Sequence, residues 1–340
     1  MNRLKTPVFI IAEAGVNHNG SLINAKKLVD VAAAAGADAV KFQTFDVNTL
    51  VTEAAPKAKY QQTSTKDTEP QAKMLSELAL THDQFKTLKC YCEDRDILFL
   101  SSPFEEASAD FLEEIGMPIF KIPSGEITNL SFIQHVAAKG KPLIVSTGMS
   151  SINEIAAAID KIQLAGNPPV TLLHCVSAYP TAPKDVNLRA MKTLAEQFDV
   201  PIGFSDHTLG CEISFAATAL GATVIEKHFT MAREQSGPDH KASLEPIELS
   251  KLIRGIRNIE VALGNGVKEP VAAEIPTAAA ARKSLVAARI IPVNTIIKRD
   301  MVVVRRPGSG LAPREIDSII GKRARYSIPC GTPLTADMIR

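Results

Sequence analysis

The chain has 340 residues, 45% hydrophobic and 22% charged, with 38 Lys and Arg against 37 Asp and Glu and a net charge of +1. That balance leaves no field of one sign to hold nucleic acid or an acidic membrane, so an anionic ligand has to be gripped by local basic groups. No segment stays apolar long enough to span a bilayer, and the apolar run behind the N-terminus is broken at Glu13, so neither a membrane span nor a signal peptide is expected and the cytoplasm is the expected compartment.

In chain order, β-rich apolar runs fall at residues 8–12, 39–44, 97–101, 119–122, 143–146, 170–174, 202–205 and 223–229. Between them lie stretches of helical period, such as Ala25, Leu28, Val29, Val31 and Ala32, or Ile152, Ile155, Ala156, Ile159 and Ile162. Ser21, Asn129, Ser151 and Ser250 are candidate helix N-caps. Strands alternating with helices predict right-handed crossovers and a parallel sheet. Eight such units in roughly 250 residues match a closed (β/α)8 TIM barrel. An open doubly wound sheet would carry a phosphate loop after its first strand, and neither G-x-G-x-x-G nor a P-loop stands there.

Residues 46–80 form a long connection in which Met74, Leu75 and Leu78 mark a short helix, a candidate lid or substrate wall. Past Gly264-Asn265-Gly266, two prolines and a run of alanines without an apolar face predict a linker over 266–281. The linker separates a barrel domain, 1–265, from a small β-rich module, 282–340, with short β-type pieces at 284–287, 295–297, 301–304 and 324–328. The five cysteines are scattered and odd in number, which argues against a disulfide framework, and Cys90-Tyr91-Cys92 lacks the second pair of a structural zinc site.

In a barrel the carboxyl ends of the strands form the active face. Here every end is polar: Glu13; Lys41 and Gln43; Ser101 and Ser102; Lys121 with Ser124 and Glu126; Ser146 and Thr147; His174 with Ser177 and Tyr179; Ser205, Asp206 and His207; Glu226, Lys227 and His228. Side chains alternate along a strand, so Lys41 and Gln43, Ser205 and His207, and Glu226 and His228 form pairs that can enter one mouth. Two lysines among hydroxyls suit a carboxylate or phosphate. The plainer alternative is that Lys41 and Lys121 only form salt bridges with Glu13 or Glu226. His207 and His228, on adjacent strands, either satisfy hydrogen bonds or join Glu226 in holding a divalent metal with open positions.

The ordered motifs E-A-G-V-N-H-N-G (13–20), V-K-F-Q-T (40–44), S-S-P-F (101–104), K-I-P-S-G-E (121–126), S-T-G-M (146–149), L-L-H-C (172–175), F-S-D-H-T (204–208), E-K-H-F-T (226–230), G-P-D-H (237–240) and R-R-P-G-S-G (305–310) resemble the sialic acid synthase family. The resemblance implies a TIM barrel followed by a small antifreeze-like (SAF) domain, in a homodimer swapped so that this domain reaches the partner's site. It implies condensation of phosphoenolpyruvate with an N-acetylated hexosamine and water, giving a nine-carbon 2-keto acid and phosphate. By the same resemblance Lys41, Ser102, Lys121, Ser124, Ser146 and Ser205 bind phosphoenolpyruvate, as does Ser177, which stands where some members carry Asn. His207 and His228 would hold Mn2+ or Mg2+; Glu13, Gln43, Glu126, Tyr179 and Asp239 would serve catalysis and the sugar, with Glu13, Glu126, Lys41 and Lys121 as the catalytic set. Arg306 would reach the N-acetyl group of sugar bound to the other subunit. The implied acceptor is N-acetylmannosamine, giving N-acetylneuraminate; the alternative is 2,4-diacetamido-2,4,6-trideoxy-mannose, giving N,N'-diacetyllegionaminate. A metal-dependent aldolase or a non-catalytic sugar-binding protein are more remote readings.

Overall fold

The computed structural model describes residues 7–65 and 69–340. The chain divides into two compact units, one ending at Asn265 and one running Gly266–Arg340.

The first unit is a parallel barrel of eight strands: β1 Phe9–Gly15, β2 Ala39–Thr44, β3 Leu98–Pro103, β4 Phe120–Ile122, β5 Leu143–Ser146, β6 Val170–Cys175, β7 Ile202–Asp206 and β8 Val224–His228. Their order, β3-β2-β1-β8-β7-β6-β5-β4, closes because β3 and β4, its two ends, pack side by side. These runs lack polar alternation because both faces are covered, the inner by the barrel core and the outer by helices, as a parallel sheet requires. Helices follow where periodicity predicts them: Leu22–Ala35 starts at Ser21, whose hydroxyl accepts from Asn24 N, and Ile152–Leu164 starts at a capping box of Ser151 and Glu154. Asn129 caps Leu130–Ala138, its side-chain oxygen accepting from Phe132 N.

Ser250 is not a cap. The last barrel helix, Pro246–Leu263, begins a turn earlier with Glu245 at its N-cap and Pro246 in the first turn, and Ser250 Oγ donates to Pro246 O at 3.1 Å. Proline at the head of a helix is the signal that outranks the serine. Among its described residues the connection after β2 holds three helices rather than one: Val47–Leu50, Lys59–Ser64 and Gln71–Leu78.

In the second unit, the stretch expected as a linker carries a helix, Ile275–Ala281, whose residues are all exposed or half-buried. Alanine has the best intrinsic helix propensity, so a helix forms there without an apolar face to announce it. Beyond it β9 Ser284–Ala287 pairs antiparallel with β10 Val302–Arg305. The pieces expected at 295–297 and 324–328 are not strands; they make single bridges, Ile296 to Arg323, Ala324 to Ile339 and Ile291 to Ile328. Left-handed turns at Asn294, Gly321 and Gly331 redirect the chain before a ladder can extend. Leu285, Ile291, Ile297, Val302, Ile328 and Leu334 anchor a separate core for this unit.

Alternation sorts the barrel's charged residues. Asp206 and Lys227 lie on the outer face, where Lys227 Nζ sits 2.9 Å from Asp206 Oδ2 and donates to Thr208 O at 2.6 Å. Asp206 also accepts from Thr208 N, Thr208 Oγ1 and Ser214 Oγ, so this pair locks the loop after β7 and the helix Glu212–Ala219 to the sheet. Both side chains are almost wholly excluded from water. Lys227→Met should therefore cost about 3 kcal/mol in urea unfolding, since it leaves a buried carboxylate uncompensated, and adding Asp206→Asn should restore part of it.

Candidate active site

The strand register brings the inward-facing groups together. Glu13 stands beside Lys41 on β2 and beside His228 on β8; Ser205 stands beside Glu226, and Gln43 beside Ser102. At Gly15 the β1–β2 register slips and φ turns to +52°, so the chain leaves the barrel wall there. A Cβ at this position would make only ordinary contacts, 3.4 Å from Gln43 Nε2 and Glu13 Oε1, so it is the left-handed turn that calls for glycine.

Lys41 Nζ lies 2.8 Å from Glu13 Oε2 and 3.8 Å from Glu226 Oε2, and donates to Ser102 Oγ at 3.1 Å. Lys121 Nζ donates to Ser146 Oγ at 2.7 Å and lies 3.6 Å from Glu226 Oε1, which also accepts from Ser205 Oγ at 3.0 Å. Glu226 thus bridges the two lysines instead of joining the histidines. The salt bridges foreseen as the plainer alternative are present, and the same four groups line an open cavity of about 450 Å³. All four side chains are at most 5% exposed.

Burial pushes the Glu13 carboxyl up to about 7, with Glu226 adding to the rise against the pull of Lys41. Burial acts on Glu226 in the same sense, but Lys121 and Lys41 outweigh it and hold that carboxyl down to about 2. For Lys41, Glu13 and Glu226 together overcome burial and raise the ammonium's pKa; for Lys121 burial prevails and lowers it. Near neutrality the cluster can therefore shed negative charge by protonating Glu13 while Glu226 stays ionised, which leaves an excess of positive charge for an entering anion.

Ser124, Ser146, Ser177 and Gly148 continue the wall beside Lys121. Gly148 N donates to Ser124 Oγ at 3.0 Å, and a Cβ on Gly148 would fall 2.4 Å from Ser177 Oγ and 2.8 Å from Ser124 Oγ. Only glycine permits these two hydroxyls and a backbone N–H to converge so closely.

On the β7–β8 side the His207 and His228 rings lie 5.5 Å apart, and Tyr179 packs over His207 at 4.2 Å. His207 Nδ1 is 2.7 Å from Val176 O, a pure acceptor, so Nδ1 carries the proton and Nε2 presents its lone pair. Burial lowers the pKa of both rings, further reduced for His228 by His207 and Lys41, so both are neutral at neutral pH. His228 Nδ1 is buried without a hydrogen-bond partner and lies 4.0 Å from Asp239 Oδ2. Two neutral imidazoles, one tautomer set by a carbonyl and the other with an orphaned nitrogen, fit a divalent cation, as does a neighbouring carboxylate. Among the described residues no group of three or more His, Cys, Asp or Glu is already gathered as a metal cage, so water or substrate would complete such a site.

Gln43, Ser102, Tyr179 and Asp239 also line the cavity. Glu126 does not: it belongs to the turn Ser124–Glu126, and its Oε2 accepts from Asn129 Nδ2 at 2.9 Å, which draws the carboxylate toward the next helix. Glu13 and Glu226, and not Glu126, are therefore the carboxylates at the lysines. Arg306 lies in the second unit, exposed, with Nε donating to Ala281 O at 3.0 Å. The connection expected as a lid or substrate wall does line the cavity, its Met74, Leu75 and Leu78 joined by Val16 and Phe45, whereas Tyr60, which packs on Tyr179 at 4.9 Å, was not foreseen. The helical spacing of Met74 and Leu78 was the available signal for that wall.

Comparison with known proteins extends over both units. Residues 28–268 match the NeuB family and residues 282–340 match the SAF domain. The N,N'-diacetyllegionaminic acid synthase of Legionella pneumophila is 46% identical over 330 residues, covering 96% of this chain and 93% of that protein. Its namesake in Campylobacter jejuni is 45% identical over 317 residues, covering 93% and 95%. Among solved structures, the N-acetylneuraminic acid synthetase of Leptospira borgpetersenii in complex with citrate shares 36% identity at a TM-score of 0.71, covering 82% of this chain and 93% of that one. Similarity of this extent, over a barrel with buried cations at its mouth, means that the chain belongs to the NeuB family, the sialic acid synthases that its motifs resemble.

Proposed function

We propose that this protein condenses phosphoenolpyruvate with 2,4-diacetamido-2,4,6-trideoxy-mannose and water, forming N,N'-diacetyllegionaminate and phosphate. The observation that carries the reaction type is the convergence of Lys41, Lys121 and the serine hydroxyls at one end of the cavity. The acceptor is supported by the names of the Legionella and Campylobacter relatives, at 46% and 45% identity, and by the apolar wall. This sugar carries three methyl groups, one on each acetamide and one at carbon 6, and the wall offers them cover from water. N-acetylmannosamine is the second reading, favoured by the likeness to the Leptospira enzyme.

In the proposed reaction Lys41, Lys121, Ser102, Ser124, Ser146, Ser177 and Ser205 grip the carboxylate and phosphate of the donor, exchanging contacts with Glu13 and Glu226 for contacts with the ligand. Gln43, Tyr179 and Asp239 hold the sugar so that its aldehyde carbon faces carbon 3 of the enol. A manganese or magnesium ion held by His207 and His228 would supply Lewis-acid polarisation of the aldehyde. As the carbon–carbon bond forms, the aldehyde oxygen takes up a proton to become a hydroxyl and positive charge grows at carbon 2 of the donor. There the ionised form of Glu13, well populated near neutrality with its carboxyl at about 7, stabilises that charge and accepts a proton from the water that adds. The resulting tetrahedral centre collapses to a ketone with cleavage of the carbon–oxygen bond, and the lysines retain the departing phosphate. Arg306 would complete the sugar end from the partner subunit of a swapped homodimer. A cytoplasmic location accords with these metabolite substrates and with the finding that no described helix is long and apolar enough to cross a membrane.

Phosphate release measured against both sugars side by side should favour the 2,4-diacetamido sugar by about 10- to 100-fold in kcat/KM, the discrimination a methyl-lined pocket can supply. Equal or reversed preference would return the assignment to N-acetylmannosamine, and no phosphate release with either would reject a synthase. Excess chelator should abolish product and manganese restore it; full activity in chelator would remove the metal from His207 and His228. Arg306→Ala and Lys41→Ala, each inactive alone, should regain part of the activity when subunits are mixed if sites are shared, whereas a silent mixture would contradict the swap.

A further inference from the structure

Asp239 sits on the loop from Phe229 to Leu244, which is tied at its base by the Phe229–Leu244 bridge, with Thr230 N on Leu244 O at 2.9 Å. A loop closed only at its base leaves the residues near its apex poorly fixed. Here side chains from the turn after β1 brace the base and the returning limb, where Ala242 N also donates to Asp239 O at 3.2 Å. Asn17, 2% exposed, donates from Nδ2 to Phe229 O at 2.8 Å and to Ser243 Oγ at 2.9 Å. Ser243, 1% exposed, in turn donates to Asp239 O at 2.7 Å. From the other flank His240 Nε2 donates to Asn19 Oδ1 at 3.2 Å, while its Nδ1 lies 2.6 Å from Thr230 Oγ1. Neither Asn17 nor Ser243 lines the cavity.

We propose that Asn17 is a positioning residue for the sugar end of the site: with Ser243 as relay it fixes the main chain of Asp239, and so the place where the Asp239 carboxylate meets the acceptor beside His228. An asparagine serving only its own turn would bond locally, but both bonds from Asn17 Nδ2 cross to residues 212 and 226 positions along the chain. One of them ends one hydroxyl short of the residue that faces the cavity. This role rests on the synthase reading, in which Asp239 holds the sugar, and adds to it the group that aims Asp239.

The test is a cycle in the full-length chain, using phosphoenolpyruvate and whichever of the two sugars the wild type turns over faster. Asn17→Ala should raise the acceptor KM by about tenfold, the scale expected for a contact displaced by a fraction of an ångström, with the phosphoenolpyruvate KM unchanged. In an Asp239→Ala background the same substitution should leave the acceptor KM where Asp239→Ala has set it, because the group being positioned is gone. An equal rise in both backgrounds, or no rise in an active Asn17→Ala enzyme, would overturn the role. If Asn17→Ala fails to fold, Ser243→Ala breaks the relay one bond further on and is read by the same cycle. A wild-type chain that releases no phosphate with either sugar overturns the synthase reading and this role together; an active wild type with a flat cycle overturns this role alone.

Discussion

Two ammonium groups and two carboxylates buried at the mouth of one barrel are the constraint around which the rest of this protein is arranged. Each ion would be costly to take out of water alone, and removing any one leaves an uncompensated charge in a low-dielectric site. The cluster is tolerable because the β1–β2 and β7–β8 registers set Glu13 beside Lys41 and Ser205 beside Glu226. It is useful because the pairing is incomplete: Glu226 is shared by both lysines at 3.8 and 3.6 Å, longer than the 2.8 Å of Lys41 to Glu13. A ligand anion can take up contacts the protein only half supplies.

The same alternation that turns Lys41 and Glu226 inward turns Asp206 and Lys227 outward, where they make a buried pair whose bonds are met within the protein. The contrast separates a structural ion pair from a site. Outside the barrel every acceptor of Asp206 is used by Thr208, Ser214 or Lys227. Inside, one oxygen of Glu226 and Nδ1 of His228 remain without hydrogen-bond partners beside a cavity.

Much of this was readable from the sequence because strand periodicity and barrel geometry are local rules. Alternation at period two named Lys41 with Gln43 and Glu226 with His228 before any coordinates, and β2 and β5 run over the residues expected of them. What escaped has a physical reason in each case. Glu126 lies only two residues beyond Ser124 past the end of β4, but a single turn of 3-10 helix rotates it toward Asn129, and such a rotation leaves no mark on hydrophobic pattern. The division of labour at Glu226 depends on which of several cations lies nearest, which is tertiary. The alanine helix at 275–281 and the single bridges of the C-terminal unit lack the periodicity on which prediction depends.

The two ends of the cavity are made of different material. Lys41, Lys121, Ser102, Ser146 and Ser205 project from strands of a closed sheet, whereas Met74, Leu75 and Leu78 come from the excursion between β2 and the following helix His82–Glu93. Strands of a closed barrel cannot shift without breaking their ladders, while an excursion can be rewritten at little expense to the core. Descent within this fold is thus free to trade one aldehyde for another by editing a single inserted segment, leaving the chemistry of the enol partner untouched.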